Sequence, residues 1–203
     1  GRNSTLDEGS AYWGGPELDA GIIAQQFGYD QPTELRSYPD NMKNFLQTGI
    51  TSTNNVAVSG GSENADFRIS YSNMSMQGMV PNSDRYNNSL KTNINYTLFD
   101  NLTFNGNVTL ARTNSNDIPS IGDRRNNPVQ AVYESSYIDI ALFEDYWEPG
   151  QEGVQQRRSP RGDNPYFIAY GMSNGFQRDR IYGTLSLDYK LTDDLSLMIR
   201  HSM

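Results

Sequence analysis

The most regular feature of the chain is an alternation of apolar and polar residues between positions 86 and 110. One side of the first part of this segment consists of Tyr86, Asn88, Leu90, Thr92, Ile94, Tyr96 and Leu98, and the other side of Asn87, Ser89, Lys91, Asn93, Asn95 and Thr97. Successive side chains of a strand point to opposite faces, so this pattern predicts a long strand with an apolar face and a hydrogen-bonding face. After a break at 99–101, the pattern resumes with Leu102, Phe104, Gly106, Val108 and Leu110, which predicts a hairpin.

Further strands are predicted on both sides of this hairpin. Their apolar positions are Val56 and Val58, then Phe67, Ile69 and Tyr71, and after the hairpin Ile181, Leu185, Leu187, Tyr189 and Leu191, followed by a last strand in "LSLMIRH". The breaks at 60–64, 99–101 and 192–194 are short, whereas those at 74–85 and 113–177 are long. Tight turns at one end of the strands and long loops at the other are typical of a transmembrane β-barrel. A soluble sandwich, in which the apolar faces pack on each other, shares the alternation and stays open as an alternative.

The composition of the faces favours the barrel. No charged residue lies on the apolar faces given above, and a charge facing lipid near the bilayer midplane costs ~2–4 kcal/mol. The tyrosines Tyr71, Tyr86, Tyr96 and Tyr189 are predicted near strand ends, where a barrel has its aromatic girdles. Tyrosine is also common in any half-exposed strand, and that interpretation is equally open.

The segments outside the strands predict loops with short helices. Residues 1–38 lack periodicity and are predicted to be loop. Asp40 is expected to cap a short helix that contains Phe45 and Leu46, with Gly49 where the helix stops. In the long loop, Asn127 as cap and Pro128 at the first helical position predict another short helix.

Composition narrows the classes of function. The chain has 203 residues, 35% of them hydrophobic, and no cysteine, which excludes disulfides and thiolate metal sites. Its formal net charge of -8 argues against nucleic acid as a partner. No run of residues approaches the roughly 20 apolar residues of a membrane helix.

The long loop holds the candidate contact residues. The side chains predicted to touch a substrate or a partner protein are Trp147, Arg157, Arg158, Arg161 and Tyr166, because aromatic rings stack on sugars and arginine and tryptophan dominate protein interfaces. The alternative is that these residues are simply solvated. We expect no catalytic residue: His201 is the only histidine, and the adjacent Glu144 and Asp145 lack the spacing of a glycosidase pair. The acidic positions Asp123 and Asp163 lack the ligand spacing of a calcium loop, so no metal or other cofactor is predicted.

Several motifs, in order, resemble the SusC/RagA family of TonB-dependent outer-membrane transporters. They are "YPDNMKNFLQTG", "NNVAVSGG", "MVPNSDRYNNSL", "NNPVQAVY", "DNPYF" and "DRIYGTLSLDYKLTDDLSL", and together the similarity extends from about Ala11 to Arg200. No single motif is specific, but their order and spacing together are.

The resemblance implies a barrel of about 22 strands around an N-terminal plug. It also implies a SusD-like surface lipoprotein as partner, energy from the TonB complex, and import of oligosaccharides or peptides across the outer membrane. Within that family, 1–52 would be an extracellular loop with a short helix, 53–112 strands and hairpins, 113–177 a long extracellular loop and 178–203 a hairpin. About six strands cannot close such a barrel, and the chain starts in a loop-like segment, so we expect a part of a larger transporter.

Overall fold

The computed structural model describes residues 15–26, 29–122, 125–159 and 162–203. The elements in chain order are β1 (Ile23–Ala24), β2 (Thr33–Glu34), α1 (Asn41–Phe45), β3 (Ile50–Ser62), β4 (Ala65–Gln77), β5 (Asp84–Phe99), β6 (Leu102–Ser115), α2 (Pro128–Glu134), a 3₁₀ helix (Ile140–Phe143), β7 (Trp147–Glu148), β8 (Gln151–Gln155), α3 (Pro165–Gly171), β9 (Phe176–Lys190) and β10 (Ser196–Ser202). The predicted all-β, antiparallel class is confirmed.

The chain divides into two compact units. The sheet unit consists of Thr51–Met76, Asp84–Ser115 and Gly175–Met203. The loop unit consists of the described parts of Gly1–Ile50, Gln77–Ser83 and Asn116–Asn174.

In the sheet unit the six long strands form one sheet, in the order β10-β9-β6-β5-β4-β3. Neighbouring strands are adjacent in the chain except at β6 and β9, between which most of the loop unit is inserted. The turns at 63–64, 100–101 and 191–195 are short, whereas 78–83 and 116–175 are longer. The predicted strands and the predicted alternation of short and long connections are therefore confirmed.

The register of the sheet brings the apolar positions of successive strands onto one face. Residues directly opposite each other in β5, β6 and β9 form the rows Leu90–Leu110–Ile181, Ile94–Gly106–Leu185 and Tyr96–Phe104–Leu187. The intervening rows are Lys91–Thr109–Tyr182, Asn93–Asn107–Thr184 and Asn95–Asn105–Ser186. Cross-strand partners share a face of the sheet, so the apolar face and the polar face continue across strands that are distant in sequence.

The apolar face stays open to its surroundings in the described chain. Leu90, Ile94 and Leu98 on β5 are exposed, and so are Ile181 and Leu187 on β9. Because all six strands belong to one sheet, their apolar positions do not pack against each other as the two sheets of a sandwich do.

Polar groups close the apolar face at one end. The Tyr71 hydroxyl donates to Oδ1 of Asn88 at 2.7 Å. Nε of Arg112 lies 2.6 Å from Oδ1 of Asp179 on the neighbouring strand, and both side chains are largely exposed. Asn88 therefore lies on the apolar face, as the alternation predicted, but at the margin of that face.

The tyrosines differ from the expectation in one case. Tyr86, Tyr96 and Tyr189 lie within a few residues of the ends of β5 and β9. Tyr71 lies midway along β4, so its predicted place near a strand end is wrong. The strand is longer than the sequence pattern indicated, because the pairing of β4 continues beyond the residues that alternate.

The loop unit has a hydrophobic core of its own. The core consists of Leu35, Phe45, Val132, Tyr137, Ile138, Ile140, Phe143 and Ala169. These residues come from α1, α2, the 3₁₀ helix, α3, the segment between α2 and the 3₁₀ helix, and the residue after β2. Apolar side chains that are far apart in sequence bury one another there, so this unit is packed around a core. Residues 1–38, predicted to be loop, include the short strands β1 and β2.

The predicted first helix is present with different ends. Asp40 occupies the cap position of α1, but its side chain makes no capping hydrogen bond, because its backbone is helical (φ -88°, ψ 0°) rather than extended. The helix ends at Phe45, before Gly49, and Leu46 is already extended. The buried Asn41 fixes the helix instead: its Nδ2 donates to the Ile138 carbonyl oxygen at 2.6 Å.

Candidate functional site

Two Asn–Pro pairs start α2 and α3 of the loop unit. Oδ1 of Asn127 accepts from the backbone N–H groups of Val129 at 3.1 Å and Gln130 at 3.3 Å, and Pro128 takes the first position of α2. The side chain thus satisfies amides that a helix start leaves unpaired. The helix predicted here from the sequence is confirmed.

The second pair, Asn164 and Pro165, starts α3, which the sequence analysis missed. Oδ1 of Asn164 accepts from the N–H groups of Tyr166 at 2.8 Å and Phe167 at 3.2 Å. Its Nδ2 donates to the Phe143 carbonyl oxygen at 3.0 Å. The same cap-and-proline signal that identified α2 was present in "DNPYF".

Asn164 is fully buried, so water cannot replace its hydrogen bonds if they are lost. Besides the bonds at the start of α3, its Nδ2 lies 3.2 Å from the Gln156 carbonyl oxygen. One side chain therefore joins α3 to the end of the 3₁₀ helix and to the residue after β8. This connection holds α3 beside the β7–β8 hairpin.

An aromatic cluster forms where α3 meets that hairpin. It consists of Tyr146, Trp147, Phe167 and Tyr170. The Tyr146 ring lies 4.9 Å from Trp147 and 6.4 Å from Tyr170, centroid to centroid, and the Tyr146 and Tyr170 planes are within 6° of parallel. Phe167 meets Trp147 edge-on at 5.4 Å. Tyr170 is 50% exposed, so the cluster has aromatic surface that is not covered by the loop unit itself.

Of the two aromatic residues predicted as contacts, the structure places one in this cluster. Trp147 is half-buried within it. Tyr166 points instead to the core, with its ring edge-on to Phe45 at 5.2 Å. Burial raises the pKa of the Tyr166 phenol to about 12. The cluster members missed from sequence are Tyr146, Phe167 and Tyr170; the i, i+3 spacing of the last two on a capped helix was the available signal.

Of the predicted arginines, Arg157 and Arg158 contact residues that are not members of the cluster. Nη1 of Arg157 donates to the Leu142 carbonyl oxygen at 2.9 Å, which gives it a structural contact. Arg158 is exposed and lies 3.6 Å from Oδ1 of Asp163. Arg161 lies outside the described residues, as does Asp123. A role of the arginines in contacting substrate or partner stays a prediction.

The loop unit also contains a cleft of about 350 Å³. Asp117, Asn126 and Asn174 supply polar groups to its wall, and Ile168 and Met172 supply apolar ones. Oδ1 of Asp117 accepts from the Asn174 N–H at 2.7 Å, and Nδ2 of Asn126 donates to Ser120 at 2.9 Å. These polar groups are engaged with the chain itself and brace the cleft.

The residues considered for catalysis belong to different units of the chain. His201 is exposed on β10, opposite Leu185 of β9. Glu144 and Asp145 are exposed next to the end of the 3₁₀ helix, which belongs to the loop unit. Within residues 15–26, 29–122, 125–159 and 162–203, no three His, Asp or Glu side chains are grouped as metal ligands.

The search against models of known protein families and the search of curated proteins returned no match for this chain. In the described part of the chain, the helices are too short and too polar to cross a membrane.

Proposed function

We propose that this chain is part of the wall and outer loops of a TonB-dependent outer-membrane transporter. In this proposal the apolar face of the sheet unit contacts lipid and the polar face lines the interior. The proposal rests on one observation above all: a continuous apolar face, free of charged residues across its middle rows, on an open antiparallel sheet whose other face is polar.

The dimensions of this face support contact with a bilayer. From Leu90 to Leu98 the apolar positions of β5 extend over about nine residues, which is the length of a strand that crosses a bilayer at a tilt. The face is bounded by the polar groups of Asn88, Arg112 and Asp179 at one end. Exposed apolar patches of this extent mark an interaction surface.

The resemblance to the SusC/RagA family adds the partners to this proposal. They are a SusD-like surface lipoprotein, the TonB complex acting through other parts of the transporter, membrane lipid, and an oligosaccharide or peptide nutrient. The loop unit, with its own core and its aromatic cluster, then forms a preorganised outer surface that contacts substrate or the lipoprotein. No catalytic role is part of the proposal.

The test is made on the organism's own protein. Its membranes are fractionated, the polypeptide that contains "NINYTLFDNLTF" is identified by peptide mass spectrometry, and its migration is compared in heated and unheated detergent gels. We expect an outer-membrane species whose mobility changes on heating and that copurifies with a lipoprotein. A polypeptide found only in the soluble fraction would refute the proposal and favour a soluble β-protein that binds glycans or mediates adhesion.

A further inference from the structure

The charges of the sheet unit are distributed unevenly. The whole chain has a formal net charge of -8, yet one half of the polar face is basic. Arg85, Lys91, Arg178 and Arg180 lie on this face and are exposed. We name these four residues the basic patch.

The register places the basic patch in one region. Arg180 lies opposite Ala111 and Lys91 opposite Thr109, on the two strands that flank β6. With strands ~4.8 Å apart and a rise of ~3.4 Å per residue, the Cα atoms of Lys91 and Arg180 are about 12 Å apart. Arg178 is two residues from Arg180 on the same face. The long side chains of Lys91, Arg178 and Arg180 can therefore reach a single ligand, whereas Arg85 lies about 20 Å from Lys91 along β5 and could contact only a ligand of that length.

Among the described residues of the sheet unit, no carboxylate lies on the half of the polar face that holds the basic patch. Asp188 is on the polar face but at the other end, where it accepts from Nδ2 of Asn105 at 2.8 Å. Asp179 is on the apolar face, paired with Arg112. No ion pair joins Arg85, Lys91 or Arg180 to an acid in this part of the chain. Like charges that are held close together repel one another, and the positive potential that they create attracts anions.

The side chains between the cations carry hydroxyl and amide groups. Asn87, Ser89, Thr109 and Thr113 lie on this face, and the Thr113 hydroxyl donates to Oδ1 of Asn87 at 3.1 Å. Such groups both donate and accept hydrogen bonds, as sugar hydroxyls do. A peptide is commonly bound through a sheet edge or an apolar groove instead, and the basic patch spans interior strands of the sheet.

We propose that the basic patch binds an anionic oligosaccharide, one whose sugars carry carboxylate or sulfate groups. The cations neutralise the acidic groups, and the neighbouring amides and hydroxyls bind the sugar hydroxyls. This inference rests on the proposed transport function, in which the polar face lines the substrate path, and it assigns an acidic glycan as the substrate class.

The experiment measures binding to the intact natural protein by calorimetry. The probes are an oligomer of galacturonic acid, the same oligomer with its carboxylates methyl-esterified, and a poly-glutamate of equal charge. The variant is Lys91→Gln with Arg180→Gln. The control is Arg112→Gln, which removes one positive charge one residue from Ala111 but on the opposite face, and it is compared with Lys91→Gln and Arg180→Gln taken singly.

We expect the acidic oligomer to bind more tightly than its ester and to weaken as salt is raised. The double variant is expected to bind it about two- to thirtyfold more weakly, since each of the two exposed ion pairs contributes ~0.2–1 kcal/mol. The Arg112→Gln control is expected to bind it unchanged.

Three results would overturn this inference. They are equal binding of the acid and its ester, an equal loss in the Arg112→Gln control, and tighter binding of poly-glutamate than of the acidic oligomer. The last would identify an acidic peptide as the ligand. Failure of the transport proposal is seen separately: a soluble protein whose double variant still loses binding to the acidic oligomer retains the acidic-glycan site and loses only the membrane function.

Discussion

Replacing Ile94 with arginine tests whether the apolar face of the sheet contacts lipid. Ile94 lies midway between Leu90 and Leu98 on β5, and it lies opposite Gly106 on β6. It is 43% exposed in the described chain. The substitution therefore probes the medium outside the sheet more than packing within it.

The expected magnitude depends on that medium. If the face contacts lipid, Ile94→Arg places a charge near the bilayer midplane, and the free energy of unfolding should fall by ~2–4 kcal/mol. Leu98→Arg, nearer the margin, should cost only ~0–1 kcal/mol. If the face is in water, a surface substitution at a residue this exposed should change stability by less than about 0.5 kcal/mol.

The assay is urea unfolding of the intact protein in lipid vesicles, followed by tryptophan fluorescence. Asn93→Arg is the matched control, because it adds the same charge one residue away on the polar face and should cost little. Equal losses for Ile94→Arg and Asn93→Arg would refute the assignment of the two faces. Equal losses for Ile94→Arg and Leu98→Arg would refute the dependence on depth and with it the lipid contact.

The remaining predictions concern the loop unit and the packing of the sheet. Asn164→Ala should destabilise the protein by roughly 2–4 kcal/mol, because it removes a helix cap and also the hydrogen bonds to buried carbonyl groups. Asn127→Ala removes a cap alone and should cost only about 1 kcal/mol. Thermal unfolding of both variants checks the difference, and equal shifts would contradict it. The Tyr166 phenol should titrate at about pH 12, measured by ultraviolet absorbance with Tyr166→Phe as reference. Because the folded pKa lies above the unfolded value of about 10, its contribution to stability is present below pH 10 and is lost as the pH rises towards 12; a midpoint near pH 10 would show the ring exposed. Gly183→Ala should cost about 1–3 kcal/mol, because its Cβ would overlap a backbone carbonyl oxygen of β6. Gly106→Ala should cost less, because the atoms that its Cβ would meet most closely belong to the side chains of Phe104 and Leu185 and not to the backbone. Chemical denaturation compares the two variants, and equal costs would contradict the overlap.

The strands of the sheet unit were predictable because their signal is local. Alternation along β5 assigns each side chain to a face without knowledge of any other strand. The same holds for the cap at Asn127, where two adjacent residues determine the start of α2. The helix α3 was predictable in the same way, because Asn164 and Pro165 carry the same signal.

The core of the loop unit was not predictable in this way. Asn41 bonds to Ile138, and Phe45 contacts Tyr166, across separations of about a hundred residues. Segments of this unit have no long period that would reveal which face they bury. Tyr166 was therefore predicted as a contact residue, although its ring lies against the core.

The sequence alone determined the antiparallel strands, the separation of apolar and polar positions, and the alternation of short and long connections, because each follows from the geometry of neighbouring residues. Only the tertiary structure decided which strands are neighbours, that β6 pairs with β9 across the loop unit, and that the aromatic cluster and the basic patch each come together. The physical reason is that register and long-range packing depend on contacts between residues far apart in the chain. A local pattern does not show which distant residues a segment will contact.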